Sequence, residues 1–172
     1  MNLFSYIEKG GSIMYLLLFL NIIGFAIMIA KFIILWKEKN KPEAIINSIS
    51  NKLKEGVVKD TGALVELAKQ EIASYVSGLE RGVSTVKIIA SISPLFGLLG
   101  TVIGVLMAFK VMATGGGMGD PTKFASGISL ALITTVGGLI VAIPHYIGHN
   151  YLISFLDQIE SKLEKGVLEK VL

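Results

Sequence analysis

Three stretches of the chain are almost unbroken in apolar residues: 13–36, 88–109 and 124–147. Each approaches or exceeds the roughly 20 residues that a helix needs to cross a bilayer, so each predicts a membrane-spanning helix. Around them the pattern changes to apolar positions three or four residues apart, which predicts amphipathic helices. In the segment 37–87, Pro42 suits a first helical turn, and Ile45, Ile46, Ile49 and Leu53 follow it at helical spacing. Gly56 and Gly62 bracket a break. Leu64, Leu67, Ile72, Val76, Leu79, Val83 and Val86 then form a stripe running into the second span. In the tail, 148–172, Leu152, Phe155, Ile159, Leu163 and Val167 recur with Asp157, Glu160, Lys162 and Glu164 between them. These amphipathic helices have two readings: packing on their own subunit, or projecting from the membrane and packing subunit against subunit.

Composition agrees with a polytopic membrane protein. Of 172 residues, 52% are hydrophobic and only 17% charged. The first span is too long for a signal-peptide core, Glu8 accompanies Lys9 in the leader 1–12, and no small-x-small site follows. The net charge of +3 is better read by its distribution than as a nucleic-acid signal. Lys37, Lys39, Lys41, Lys52, Lys54, Lys59, Lys69, Arg81 and Lys87 lie between the first two spans, and Lys162, Lys165 and Lys170 follow the third. The leader has Lys9 alone, and the loop 110–123 has only Lys110 and Lys123 at its margins. The positive-inside rule then places 37–87 and the tail in the cytoplasm, and the N-terminus and the loop on the other side. The loop, with ATGGGMGDPTK at 113–123, is turn chemistry throughout.

Catalysis finds little support. No Asp or Glu lies within any span, and proton-carrying membrane proteins normally need ionisable groups at depth. There is no cysteine, no phosphate-binding loop with the right spacing, and no pattern calling for a cofactor or metal. What remains is small and hydroxylated. Ser93, Gly97, Gly100, Thr101, Gly104 and Ala108 fall on one face of the second span, and Gly127, Ala131, Thr135, Gly138 and Ala142 on one face of the third, with Ser129 and Thr134 alongside. Small faces let helix backbones approach closely in lipid. Thr101, Thr135, Thr134 and Ser129 are the candidate pore-lining and proton-path residues, whose hydroxyls either bond their own i−4 carbonyls or line a wet path. Pro94 and Pro144 predict kinks. His145 and His149, one turn apart, do not make a metal site.

With these residues the chain resembles the ExbB/TolQ/MotA family of proton-channel subunits. GGSIMYLLLFLNIIG at 10–24, SPLFGLLGTVIGVLMAF at 93–109 and GISLALITTVGGLIVAIPHYIGHNYL at 127–152 are similar to the family's first, second and third helices. Three spans, with the main cytoplasmic segment between the first two, resemble ExbB and TolQ more than the four-span MotA type. The resemblance implies an all-α membrane protein whose three transmembrane helices and cytoplasmic helical extensions form a homopentameric ring around a central pore. It implies that helices two and three line this pore, and that Thr101 and Thr135 take the place of the family's pore threonines. It also implies a single-span partner of the ExbD or TolR type, whose membrane aspartate carries the proton, and a TonB-type protein beyond it.

The chain departs from the family in two places. GISLAL places Leu130 where many relatives have a glutamate, and the first helix has Ala30-Lys31 where many have Glu-Arg. The expectation is therefore an ExbB-like proton-channel subunit of an inner-membrane motor driving TonB-dependent outer-membrane transport. A TolQ-like envelope-maintenance subunit and a non-conducting membrane scaffold are the alternatives.

Overall fold

The computed structural model describes residues 3–55, 60–114 and 121–171, and among these every regular element is a helix. In chain order they are α1 (Leu3–Lys9), α2 (Gly11–Lys39), α3 (Pro42–Glu55), α4 (Thr61–Glu80), α5 (Val83–Thr114) and α6 (Pro121–Val171). Three of them, α2, α5 and α6, are long and apolar enough to cross a membrane. Most of the glycine-rich loop, 115–120, and Gly56 of the predicted break lie outside the described residues.

Two joints need glycine. Gly11, the first residue of α2, has φ +60, and Gly82, between α4 and α5, has φ +90. A side chain in that left-handed region is strained, whereas glycine adopts it freely. Two prolines, by contrast, end nothing: Pro94 lies inside α5 and Pro144 inside α6. The sequence predicts a third span followed by a separate amphipathic tail helix. The structure instead has one helix of 51 residues, α6, running through both. No proline follows Pro144, and Gly148 alone does not interrupt it.

The chain divides into two compact units. The first combines Met1–Ala26 with Thr85–Gly148. Its apolar core is small: Leu17, Ile89 and Val141, with Ile13, Met14, Leu20, Ile23 and Phe96 packed on it. Most of its large side chains point outward, among them Leu95, Leu98, Val102, Leu106 and Phe109 of α5 and Leu132, Val136, Ile140 and Ile143 of α6. Ser93, Thr134 and His145 are completely buried instead. Apolar outside and small or polar inside is the arrangement a lipid solvent favours.

The second unit combines Ile27–Ser84 with His149–Leu172. Leu35 of α2, Ile46, Ile49 and Leu53 of α3, Ala68, Ile72 and Val76 of α4, and Leu152, Leu156, Ile159, Leu163 and Val167 of α6 make one core. The predicted tail stripe thus packs against its own chain. Polar contacts trim this core. Asp60 caps α4 by accepting from Ala63 N at 3.0 Å, which satisfies one of the first-turn donors. Lys31 Nζ donates to Leu79 O, 3.0 Å away, near the C-terminus of α4, where a cation is favoured by the helix dipole. Tyr75 Oη donates to Glu38 at 3.1 Å. Burial, with the Glu38 charge and this hydrogen bond, pushes the Tyr75 hydroxyl up from 10.0 to about 12.

Candidate functional site

The site grows out of the way α5 and α6 meet. Small residues face each other along the whole contact. A β-carbon placed on Gly97 would lie 2.9 Å from Thr134 O and 3.1 Å from Thr135 Cα. One on Gly104 would lie 2.5 Å from Gly127 O, one on Gly127 2.7 Å from Gly104 O, and one on Gly138 2.6 Å from Ser93 O. Backbone meets backbone at each point, so no flexible side chain can move aside to admit a larger residue. Ala131 and Ala108 complete the seam beside Gly104 and Gly127.

This closeness sets the register of two hydroxyls. Thr101 Oγ1 lies 3.3 Å from Gly97 O, its own i−4 carbonyl, and 3.2 Å from Ala131 O on the other helix. Thr135 Oγ1 mirrors it, 3.2 Å from its own i−4 carbonyl, Ala131 O, and 3.4 Å from Gly97 O across the seam. The two hydroxyls also hydrogen-bond to each other. Two threonines and two carbonyls thus form a four-oxygen cluster spanning two helices. Both threonines are half-buried, so the cluster has an open side.

The neighbouring hydroxyls have different surroundings. Thr134 is completely buried; its side chain fills the space left by Gly100, and its hydroxyl donates within α6, 3.0 Å from both Leu130 O and Ala131 O. Ser93 donates to Ile89 O at 2.7 Å. Ser129 is half-buried and lines a shallow recess with Lys9, Ser126 and Leu130. The structure therefore brings Thr101 and Thr135 together and puts Thr134 and Ser129 elsewhere on α6. Leu130 approaches the α1–α2 joint: its Cδ1 lies 4.0 Å from where a β-carbon on Gly11 would be.

Of two features, a reading of the sequence as separate helices reaches one and misses the other. The acceptors Gly97 O and Ala131 O were accessible to inference, because each lies four residues before its threonine. The socket of His145 was not. This side chain is completely buried, with Nδ1 2.7 Å from Val141 O and its ring edge-on to Phe25, the centroids 4.8 Å apart. It sits against Gly24, where any β-carbon would collide with the imidazole. His145 Nε2 has no hydrogen-bond partner among the described residues. Nor do the described residues contain a group of His, Cys, Asp or Glu able to hold a metal ion.

The chemistry open to the cluster is hydrogen bonding. It can hold a water or meet a polar group brought to it, but it contains no group that titrates near neutral pH.

The sequence pattern of the MotA/TolQ/ExbB proton channel family matches residues 38–165. The biopolymer transport protein exbB1 of Vibrio cholerae is 40% identical over 83 residues, covering 48% of this chain and 36% of that protein. A putative biopolymer transport protein ExbB homolog of Methanothermobacter thermautotrophicus is 29% identical over 91% of this chain and 65% of its own length. The Tol-Pal system protein TolQ of Haemophilus influenzae is 37% identical over 107 residues, covering 62% of this chain and 45% of that protein. The chain thus spans less than two-thirds of the length of each of these relatives.

Proposed function

The chain belongs to the MotA/TolQ/ExbB proton channel family, and we propose that it is an ExbB-like wall subunit whose Thr101–Thr135 pair serves the proton path. Identical subunits close into a ring, a pentamer by resemblance, with α5 and α6 facing a central pore. The lysine-rich segment 37–87 and the end of α6 lie in the cytoplasm, and the connection from α5 to α6 lies on the other side of the inner membrane. A single-span partner of the ExbD or TolR type enters the pore and supplies the acid. The complex passes the energy of proton flow to a TonB-type protein that drives outer-membrane transport.

One observation carries this reading: the Thr101 and Thr135 hydroxyls, shared between α5 and α6, form a half-open cluster, in spans without Asp or Glu. A carboxyl entering an apolar site costs several kcal/mol to bury without a hydrogen-bond partner. The threonine cluster is where such a partner is available. The wall and the acid are thus divided between two proteins.

Proteoliposomes test this division. The purified subunit should leak few protons alone, and its partner should add a flux that depends on the partner's membrane aspartate. Strong flux through the subunit alone would overturn it. The similarity to TolQ over 62% of the chain keeps a TolQ-like role in envelope maintenance as the second reading. Deleting the gene separates the two: lost TonB-dependent uptake supports the ExbB-like role, and a leaky envelope with normal uptake supports the TolQ-like one.

A further inference from the structure

Two hydroxyls carry two protons, and here both are used inside the subunit. Thr101 and Thr135 share one hydrogen bond, which consumes one proton. The second proton goes to Gly97 O or Ala131 O, each within 3.4 Å of both hydroxyls. The order can run from Thr101 to Thr135 or the other way, and neither order leaves a proton over. Lone pairs do remain, because each hydroxyl oxygen can accept two hydrogen bonds. The pair therefore has acceptors to offer on its open side and no donor.

We propose that the resting Thr101–Thr135 pair is an acceptor-only site that receives an acid in its neutral, protonated form and resists the carboxylate. This rests on the channel reading above and adds to it the protonation state the wall selects. A protonated carboxyl brings its own O–H, which a threonine lone pair accepts with no internal rearrangement. A carboxylate is acceptor-only and would face lone pairs. To receive it, one hydroxyl must turn away from its partner or its carbonyl and give up an internal hydrogen bond. Loss of the acid's proton is then the event that breaks the threonine pair open. Ser93 is the natural control, because it is completely buried and its hydroxyl donates to Ile89 O, which the pair does not use.

The first arm of the test uses the subunit assembly in bilayers without its partner, and so does not depend on the channel reading. Solid-state NMR should find the Thr101 and Thr135 hydroxyl protons correlated with each other or with the Gly97 and Ala131 carbonyls, and slow to exchange with water. Thr135→Val should move the Thr101 signal, and Ser93→Ala should not. Hydroxyl protons directed at water and exchanging freely would overturn the proposal.

The second arm uses the full complex, with the partner's membrane aspartate replaced by Asn, a neutral donor, or by Leu. The wild-type assembly should retain the Asn partner roughly two- to tenfold better than the Leu partner, the worth of one hydrogen bond. The advantage should vanish with Thr101→Val and Thr135→Val together. Equal retention on the wild-type assembly, or an undiminished Asn advantage on the double variant, would overturn the proposal. Undiminished transport by the double variant would overturn the channel reading instead, and leave the first arm standing.

Discussion

The two units of this chain obey opposite rules. In the second, large aliphatic side chains such as Ile72, Leu152 and Leu163 are buried and charged ones such as Lys52, Lys69, Asp157 and Lys165 are exposed. In the first, leucines and isoleucines point outward, and glycine, alanine, serine and threonine fill the α5–α6 contact. One unit gains stability by removing apolar surface from water. Between apolar helices in lipid that driving force is absent, so close packing and hydrogen bonding must hold them together. The comparison explains why the candidate site lies in the first unit. Only where backbones touch can a threonine on one helix reach a carbonyl on the other.

The largest expected effect comes from breaking the first rule. Gly104→Leu puts a branched side chain where a β-carbon would already lie 2.5 Å from Gly127 O. Backbone blocks it on both sides, so the cost should exceed the ~1–3 kcal/mol usual for overpacking. Native mass spectrometry in detergent should show the assembly lost or depleted. Breaking the second rule has a different signature. Leu163→Ala empties a completely buried site and should cost about 2–5 kcal/mol. Thermal unfolding of the detergent-solubilised protein should show it, with the α5–α6 seam intact. A smaller effect falls on the His145 socket. Gly24→Ala collides with a ring rather than with backbone, so about 1–3 kcal/mol is expected by the same unfolding measurement, relieved by His145→Ala in the double variant.

The smallest effect is a pH dependence confined to the second unit. The folded state raises the Tyr75 hydroxyl to about 12. Its contribution is complete below its ordinary value of 10.0 and is lost as pH rises through about 12. Thermal midpoints should fall across that window in the wild type and fall less in Tyr75→Phe.

These contrasts also mark how far the sequence could be read. The three membrane helices were legible because their apolar runs are long. The small faces of α5 and α6 were legible because they repeat at helical spacing. Spacing put Thr135 on the small face with Thr134 alongside, but did not show what each would meet on the other helix. The two are adjacent, and what separates them is the inter-helix register, with Gly100 opposite one and Gly97 opposite the other. Register belongs to the pair of helices, and neither helix's own periodicity contains it. The socket of His145 was hidden for the same reason, since Gly24 lies far from it in sequence and in no repeat. The unbroken α6 was obscured by the change from an apolar run to an amphipathic pattern near residue 148, which reads as two helices but does not end this one.

The central claim is that the Thr101–Thr135 hydroxyls, and not merely the small volume of their side chains, serve the proton path. Valine keeps the shape and removes the hydroxyl. The decisive measurement is partner-dependent proton flux in proteoliposomes for Thr101→Val, Thr135→Val and the serine variants, with assembly checked in parallel. The account predicts assembled rings throughout, flux abolished or greatly reduced by either valine, and part of it retained with serine. Wild-type flux with both threonines replaced by valine would contradict it.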